Sequence, residues 1–463
     1  MRTKKSSSFQ KYKGFLLEPS IQNFFTGRIW ARETAPFPKE KIDIYIKRGL
    51  LKIKPAIGEG PVCHRCLNKE KKQFIFYHCA RCQKVCTYCR YCIQMGRMSS
   101  CTELLTWNGP LPKLNSYHSL VWKSRFTPLQ EKASIELTES IKQGRSHLVS
   151  AVCGAGKTEI LFTAIHDALN EKKRVCVATP RTDVVLELAP RFAEVFPQTT
   201  VQALYGGAPQ SCMYAPLIIA TTHQLYRFER AFDIMIVDEA DAFPYTYDAS
   251  LQQAVQKAKK EQAPIAFVTA TPTSELLELK KTGGYSFIPS RYHGHPLPVP
   301  RFSSLWGYDK SIKKKRIPKK LKEWTEKRIA ENEPFLIFFP TIELMEQAIP
   351  LFQQLDSKIE AVHAEDSDRK EKVLYLRNRE IKGLLTTTIL ERGITIKNVQ
   401  VAVVGAESKI FTASALIQIS GRVGRDEDFP AGDIVFFHHG MTVEMDMAQE
   451  EIKRLNKEGF PSA

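Results

Sequence analysis

The chain has 463 residues, 43% of them hydrophobic, which is enough to fill the cores of several domains and excludes a disordered protein. Lys and Arg number 67 against 50 Asp and Glu, and the formal net charge of +17 favours a polyanionic partner, first nucleic acid and second a membrane surface. No apolar run approaches the roughly 20 residues that cross a bilayer, and the basic start lacks the apolar region of a secretory signal, so we expect a cytoplasmic protein with no transmembrane segment.

Residues 1–60 form a predicted basic N-terminal segment with 13 basic and 5 acidic side chains. Aromatic residues interleave these charges, and such rings can stack on unpaired bases. Burial in a protein core is the alternative that the sequence leaves open. The aromatic residues are Phe9, Tyr12, Phe15, Phe24, Phe25, Trp30 and Tyr45.

Residues 61–105 are predicted to form a zinc-binding module, because eight of the eleven cysteines cluster there. Clustered thiols favour a reducing compartment and a bound metal over disulfides. Three CxxC pairs can each present two thiolates to one tetrahedral Zn²⁺. The eight cysteines lie at positions 63, 66, 79, 82, 86, 89, 92 and 101. The ligand set that spacing alone favours is Cys63, Cys66, Cys79 and Cys82.

From residue 148 onwards, short apolar runs alternate with helical patterns, which is typical of parallel βαβ architecture. The pattern lapses across a stretch rich in Pro, Lys and Arg and then resumes, so we predict two α/β lobes, at 118–290 and 326–463, joined by a basic linker at 291–325. The predicted strands are 148–152, 174–179, 217–222, 233–237, 265–271, 335–340, 359–364, 383–390, 399–405 and 433–438.

Residues 151–158 read Ala-Val-Cys-Gly-Ala-Gly-Lys-Thr between a predicted strand and a predicted helix, which is the context of a Walker A phosphate loop, with alanine in place of the usual first glycine. The glycines let backbone N–H groups close round phosphates. Lys157 can reach the β and γ phosphates, and the Thr158 hydroxyl can bind Mg²⁺ at the helix N-terminus. We therefore predict ATP and Mg²⁺ as cofactors. The predicted ATP-binding residues of the loop are Gly154, Ala155, Gly156, Lys157 and Thr158.

A second apolar run, at 232–237, ends in Asp238 and Glu239. A buried strand of this kind delivers its carboxylates to the ligand crevice at the carboxyl edge of an α/β sheet. We predict that Asp238 holds Mg²⁺ through water and that Glu239 orients or deprotonates the attacking water.

The motifs follow one another in an order that resembles superfamily 2 helicases. Residues 126–130 look like that family's adenine-reading element, with Gln130 as the amide that pairs with the base. Thr269 and Thr271 resemble the motif that couples hydrolysis to lobe movement. The segments that resemble the family's contacts with the nucleic-acid backbone are 180–181 and 221–224.

In the second predicted lobe, residues 386–395 and 418–425 resemble motifs V and VI. The resemblance implies that Arg422 and Arg425 reach the γ phosphate, so that a complete site needs both lobes. It also implies an α/β fold of two RecA-like parallel-sheet lobes preceded by the small cysteine-rich module. The predicted catalytic residues are Lys157, Asp238, Glu239, Arg422 and Arg425.

The substrate is expected to be DNA. Although residues 238–241 read Asp-Glu-Ala-Asp, the coupling motif begins with Thr269, where RNA helicases of that subfamily have serine, and motif VI begins with Gln418 in place of His-Arg. The Gln-x-x-Gly-Arg-x-Gly-Arg form is closer to DNA translocases such as the primosomal replication-restart helicase.

The cysteine module followed by this motor resembles the ComFA family, cytoplasmic ATPases of bacterial natural transformation. Two sequences carry the resemblance, Cys-His-Arg-Cys at 63–66 and Tyr-Cys-Arg-Tyr-Cys-Ile-Gln-Met-Gly-Arg at 88–97. The resemblance implies Cys63, Cys66, Cys89 and Cys92 as zinc ligands. The second candidate set is Cys79, Cys82 and Cys86, with Cys101 as a further member.

The family resemblance implies an ATP-driven motor on single-stranded DNA that helps to draw transforming DNA into the cytoplasm. The implied partners are a membrane DNA-uptake channel and other competence proteins, which would hold the chain at the inner face of the membrane. Two alternatives remain open at this point, a replication-restart or repair helicase and a DNA-binding scaffold gated by ATP.

Overall fold

The structure is a computed structural model that describes residues 15–115, 117–391 and 395–460. Phe9 and Tyr12 lie outside the described residues, as do Arg392 and Gly393 of the predicted motif V. The chain forms two compact units. The first contains the described residues up to Arg125 together with Ser134–Val149 and Ile160–Tyr285, and the second contains Phe126–Ala133, Ser150–Glu159 and the described residues from Ser286 onwards.

The N-terminal module, residues 15–107, contains three small sheets, with strand orders β1-β8-β2, β3-β4 and β5-β6-β7, and every neighbouring pair is antiparallel. Its elements are α1 (Pro19–Phe25), β1 (Ile29–Ala31), α2 (Lys39–Lys47), β2 (Leu51–Pro55), β3 (Ile57–Gly58), β4 (Val62–Cys63), β5 (Phe74–Cys79), β6 (Lys84–Cys89), β7 (Met98–Ser99), β8 (Glu103–Trp107) and short 3₁₀ helices at Arg32–Thr34, Lys71–Gln73 and Arg90–Met95.

This module differs from the two pieces, 1–60 and 61–105, that composition predicted. Strand β8 pairs with β1 and with β2, so both pieces contribute to one sheet. Phe24, Phe25 and Tyr45 are almost completely buried. Their rings therefore form a core and are not free to stack on bases, whereas Trp30 stays partly exposed.

The first large sheet has seven strands in the order β11-β12-β10-β13-β14-β9-β15, with parallel pairing from β11 to β14. Its strands β10, β12 and β13 are buried along their whole length, which explains their uninterrupted apolar sequences. Its elements are α3 (Pro128–Lys142), β9 (His147–Ala151), α4 (Lys157–Asn170), β10 (Val175–Thr179), α5 (Thr182–Val195), β11 (Val201–Leu204), β12 (Leu217–Thr221), a 3₁₀ helix (Thr222–Arg227), β13 (Ile234–Asp238), α6 (Ala249–Ala258), β14 (Ile265–Thr269), α7 (Ser274–Leu277), α8 (Leu279–Thr282) and β15 (Gly284–Ile288).

The second large sheet has six strands, all parallel, in the order β16-β21-β20-β17-β19-β18. Threonine side chains at 341, 412 and 442 cap α11, α13 and α14 by accepting backbone N–H groups. Its elements are β16 (Arg301–Ser304), α9 (Tyr308–Lys313), α10 (Lys319–Ala330), β17 (Phe335–Phe338), α11 (Ile342–Gln353), β18 (Ile359–Val362), α12 (Arg369–Arg377), β19 (Gly383–Thr386), a 3₁₀ helix (Thr388–Glu391), β20 (Gln400–Val404), α13 (Ala413–Ser420), β21 (Ile434–His438) and α14 (Val443–Gly459).

The expected linker at 291–325 is therefore wrong in part. Within it, β16 forms the edge strand of the six-stranded sheet, α9 packs against α11, and α10 begins at Lys319. The strand reads Arg-Phe-Ser-Ser and is half-exposed, so its sequence lacks the apolar run by which buried strands are recognised.

The N-terminal module shares a hydrophobic core with the seven-stranded sheet. Cys63 and Cys92 belong to the same buried cluster as Phe228, Phe232 and Met235 of the following domain. An ion pair between Lys54 and Glu229, 2.9 Å apart, lies at the edge of this contact. The cysteine module is thus packed onto the α/β domain and is not a separate appendage.

Candidate nucleotide and metal sites

The phosphate loop connects the end of β9 to Lys157, the first residue of α4. Gly154 and Gly156 have φ angles of +84° and +73°, in the left-handed region that favours glycine. A Cβ atom at Gly156 would lie 2.2 Å from Nε2 of Gln130. The backbone conformation therefore favours glycine at position 156, and a larger side chain there would displace the Gln130 amide.

Gln130 connects the predicted adenine-reading element to this loop. Its Nε2 donates to the carbonyl oxygen of Ala155 at 2.8 Å, and its Oε1 accepts the backbone N–H of Thr127 at 2.8 Å. Lys157 directs its ammonium to the carbonyl oxygen of Ala151 at 3.4 Å, a long and weak contact that a phosphate can replace. Thr158 follows in the first turn of α4.

Motif VI lies against the phosphate loop within the second unit. The thiol of Cys153 donates to Oε1 of Gln418 at 2.9 Å. A Cβ atom at Gly421 would lie only 2.5 Å from Cβ of Cys153, so this glycine permits the contact. Nε2 of Gln418 is buried with no hydrogen-bond partner among the described residues.

The two motif VI arginines are held by backbone carbonyl groups. Nε of Arg422 donates to the carbonyl oxygen of Glu391 at 3.0 Å, and its Nη2 donates to the same atom, which ties motif VI to motif V. Nε of Arg425 donates to the carbonyl oxygen of Gly421 at 2.8 Å. Arg422 is buried, and Arg425 is partly exposed.

A third arginine, Arg291, was not recognised from the sequence. The backbone beside it packs along the phosphate loop, because the N–H of Val152 donates to Ile288 O at 3.1 Å and the N–H of Tyr292 donates to Gly154 O at 3.2 Å. Arg291 donates through Nη1 to the carbonyl oxygen of Gly424. Its other two nitrogens, Nε and Nη2, are buried with no hydrogen-bond partner in the described part of the chain.

Burial, followed by repulsion from Arg425, lowers the pKa of Arg291 to about 10. A buried cation without a carboxylate is costly, so its position beside a phosphate loop fits an anionic ligand. The sequence offered no signal for this role, because Arg291 stands alone in a Pro-rich stretch and belongs to no recognised motif.

The acidic end of β13 lies in the first unit. The Asp238 side chain is 9% exposed and accepts the backbone N–H of Glu239 through Oδ1 at 3.0 Å. Glu239 has a φ of +53°, in the left-handed region that costs a non-glycine residue energy. Such strain is typical of sites where a side chain must be held in one direction.

Asp241 was not among the predicted site residues, although it closes the same acidic motif. Its Oδ1 accepts the Thr269 hydroxyl at 2.5 Å, and its Oδ2 accepts the Thr271 hydroxyl at 2.5 Å. The two threonines predicted to couple hydrolysis to movement thus share one carboxylate, which links the acidic motif directly to them.

The segments predicted to contact nucleic acid follow two neighbouring strands. Arg181 is the N-cap of α5, directly after β10, and the 3₁₀ helix Thr222–Arg227 follows β12. Since β10 and β12 are paired in parallel, both segments lie at the same carboxyl edge of the sheet.

The first group of metal-ligating thiols contains two cysteine pairs brought together by the fold. Its four Sγ atoms lie within 4.8 Å of one another, with 3.3 Å between Cys63 and Cys92 and 3.6 Å between Cys66 and Cys89. A tetrahedron with Zn–S bonds of about 2.3 Å has edges of roughly 3.8 Å, so the thiols fit zinc. The ligand set that spacing alone favoured, which combined the first two pairs, is wrong.

The second group of thiols contains Cys79, Cys82, Cys86 and Cys101. Sγ atoms of Cys82 and Cys86 are 3.3 Å apart, and those of Cys79 and Cys101 are 3.7 Å apart. A side-chain hydrogen bond from Tyr77 lowers the pKa of Cys79 to about 6, which favours the thiolate form that binds a metal. This group is less buried than the first, and Cys101 completes the predicted set of three.

Three families match successive parts of the chain. The family described as Competence protein ComFA N-terminal domain matches residues 10–106. The DEAD/DEAH box helicase family matches 127–279, and the Helicase conserved C-terminal domain matches 315–427. Competence protein ComFA of Bacillus subtilis (strain 168) is 41% identical over 458 residues, covering 98% of this chain and 97% of that protein. The chain belongs to the ComFA family.

A second relative, Competence protein ComFA of Streptococcus pneumoniae (strain ATCC BAA-255 / R6), is 40% identical over 375 residues. The matched region covers 80% of this chain and 86% of that protein. S. cerevisiae Dbp5, solved bound to RNA and ADP BeF3, shares the fold with a TM-score of 0.53 at 16% identity, over 73% of this chain and 88% of that one. This ComFA-family chain is therefore an ATP-dependent enzyme of the helicase type with a motor core, connected with competence. None of the helices in the described residues has the length and apolar composition needed to cross a membrane.

Proposed function

We propose that this chain hydrolyses ATP and uses the energy to move along single-stranded DNA, drawing transforming DNA into the cytoplasm. The observation that carries the proposal is the packing of motif VI on the phosphate loop, where Cys153 contacts both Gln418 and Gly421. The arginines of motif VI and Arg291 are held in the same unit as that loop. Such a unit can bind a triphosphate and sense the loss of its γ phosphate.

Each predicted residue has one role in this proposal. Lys157 holds the β and γ phosphates, and Thr158 with Asp238 binds the Mg²⁺ that neutralises them. Glu239 positions and deprotonates the attacking water. Arg422 and Arg425 stabilise the charge that develops on the γ phosphate.

Movement on DNA requires that hydrolysis alter the grip on the strand. Asp241 joins the acidic motif to Thr269 and Thr271, so a change at Glu239 reaches the carboxyl edge of the sheet through two short hydrogen bonds. The predicted contacts with the DNA strand, at 180–181 and 221–224, lie on that edge. We propose that this carboxylate couples hydrolysis to stepping.

The cysteine groups are proposed to hold one structural Zn²⁺ each. Sites made only of thiolates are closed to water, so the zinc takes no part in hydrolysis. We further propose that a membrane DNA-uptake channel and other competence proteins position the chain at the cytoplasmic face of the membrane.

The experiment that tests the proposal measures ATP turnover with single-stranded DNA, duplex DNA and RNA supplied separately. Single-stranded DNA is expected to stimulate turnover most. Greater stimulation by RNA would place the motor in the other branch of its superfamily, and turnover that no polynucleotide stimulates would contradict a motor of this class.

A further inference from the structure

A cavity of about 300 Å³ lies where the N-terminal module meets the seven-stranded sheet, entirely within the first unit. The module contributes Arg28 and Trp30, and the sheet contributes the 3₁₀ helix after β12 and the loop after β11. We call it the arginine cavity. The lining residues used below are Arg28, Trp30, Ser211, Gln224 and Arg227.

Two arginines face this cavity without a carboxylate. Arg28 is 5% exposed, donates to the carbonyl oxygen of Ser211 at 3.2 Å and lies 4.7 Å from the ring centre of Phe24. Arg227 lies 4.7 Å from the ring centre of Trp30. Among the described residues, no Asp or Glu lies within ion-pair distance of either guanidinium.

The electrostatic surroundings add to this positive charge. Burial, followed by the charge of Arg174, lowers the pKa of Arg28 to about 9, and burial also lowers the pKa of Arg227. The nearby carboxylate of Glu229 is occupied by Lys54 at 2.9 Å. Cations buried together without a counter-ion are unfavourable unless an anionic ligand compensates them.

Gln224 provides a neutral polar group in the same cavity. Its side chain is only 5% exposed and lines the cavity. An amide carries both donor and acceptor atoms, so it can bind a polar ligand in this cavity. The cavity volume is at the lower end of the range for ligand sites, which suits a single nucleotide unit.

We propose that the arginine cavity holds one nucleotide of single-stranded DNA, with its phosphate bound by Arg28 and Arg227. The Trp30 ring packs against the Arg227 guanidinium and holds it in place. The Gln224 amide binds the sugar or base. The inference rests on the proposed function, because it takes single-stranded DNA as the substrate of the motor. The new element is that the N-terminal module binds the DNA directly through Arg28, in addition to the predicted contacts of the motor domain.

The test compares Arg227→Gln with Arg230→Gln, since Arg230 is exposed, lies outside the cavity lining and carries the same charge three residues away. The affinity for fluorescent oligo(dT) and oligo(dC) is measured over a range of salt concentrations. For Arg227→Gln we expect a roughly tenfold higher Kd, from the loss of a hydrogen bond to a charged group. The slope of log K against log salt should become shallower by about 0.7, the value for one phosphate contact on a single strand.

The loss should be equal on both oligonucleotides, because a phosphate contact does not read bases. Arg28→Gln should cause the same loss of affinity. This comparison is valid if the variant unfolds at the same temperature as the unmodified protein. If it unfolds at a lower temperature, Arg227→Gln alone is the test. Equal effects of Arg227→Gln and Arg230→Gln would overturn the proposal, as would a loss confined to one base. If the unmodified protein is not stimulated by single-stranded DNA, the proposed function itself fails. If it is stimulated while Arg227→Gln binds normally, only the cavity assignment fails.

Discussion

The ammonium of Lys257 donates to the carbonyl oxygen of Arg65, which lies between the two cysteines of the first pair. The same ammonium donates to the carbonyl oxygen of Tyr226 at 2.7 Å. Lys257 is only 9% exposed, and burial lowers its pKa to about 8. One buried group therefore joins the first metal-binding group to the helix that carries Gln224 and Arg227.

We predict that Lys257→Met destabilises the protein and weakens its binding to DNA. The change leaves two buried carbonyl groups without a donor, which costs about 1–3 kcal/mol for each. Thermal unfolding and oligo(dT) affinity measured on the same variant check both effects. Lys52→Met, at an exposed position of β2, is the matched control. A Lys257→Met protein with normal stability and affinity would contradict the connection.

Loss of catalysis without loss of fold is expected for Lys157→Ala and for Glu239→Gln. The first change removes the phosphate cation and the second removes the base, so turnover stimulated by single-stranded DNA should fall to background. Glu171→Gln, on the surface just after α4, should retain normal turnover. If either of the first two variants kept most of its DNA-stimulated activity, the assignment of the ATP site would be wrong.

Substitutions of Arg425 and Arg291 should have different effects, one on the rate of hydrolysis and the other on nucleotide binding. Arg425→Ala is expected to slow hydrolysis by roughly 10³ while nucleotide affinity stays near normal, because an arginine finger acts on the transition state. Arg291→Gln is expected to weaken nucleotide binding itself, since Arg291 is buried beside Gly154. Nucleotide titration and single-turnover kinetics distinguish the two effects, and equal losses in binding and rate for Arg425→Ala would mean that it holds the ground state.

The seven-stranded sheet should lose stability in mild acid through His147. Burial lowers the pKa of His147 from 6.5 to about 4, so the folded protein favours the neutral ring. Its contribution to stability is complete above pH 6.5 and is lost as the pH falls through 4. Between these values the Tm of the unmodified protein should fall more steeply than that of His147→Asn. His78→Asn, at an exposed ring, should follow the unmodified protein; identical curves for all three proteins would exclude His147 as the cause.

The ten strands predicted from the sequence are all present, to within a few residues at their ends, because buried parallel strands such as β13 and β17 are apolar throughout. The three missed strands in the two large sheets, β11, β15 and β16, are partly exposed, and their polar residues hide the pattern. All three lie at sheet edges, where one side of the strand has no neighbour to bury it.

Side-chain partnerships were harder to predict than strands. The hairpin of β5 and β6 carries Cys89 back beside Cys66, so neighbours in sequence are not neighbours in the metal site. Only the family resemblance predicted the ligand set of Cys63, Cys66, Cys89 and Cys92. Arg291 and Lys257 act through burial and through contacts with backbone carbonyl groups, and neither property leaves a motif in the sequence.

The last prediction concerns the number of metal ions and the consequence of losing each one. We expect the purified protein to contain two zinc ions. Cys82→Ser should remove one and Cys63→Ser the other, because each change takes one thiolate from a different group of four.

The two losses should differ in their effect on the fold. Cys63 is completely buried in the cluster shared with Phe228 and Phe232, so Cys63→Ser should lower the Tm of the motor domain as well as that of the module. Cys82 is partly exposed, and its group lies outside that cluster, so Cys82→Ser should affect mainly the β5-β6 hairpin. A chelator should likewise remove the ion of the second group first.

Metal content, measured by atomic absorption, and thermal unfolding of both variants check these expectations together. Cys212→Ser supplies the matched control, because it makes the same change at a cysteine outside both groups and should retain two ions. A single ion in the unmodified protein would mean that the second group is a set of free thiols. Only Cys63 belongs to the core that the module shares with the motor domain. Equal losses of Tm in Cys63→Ser and Cys82→Ser would therefore contradict our explanation that the first ion stabilises the motor domain through this core.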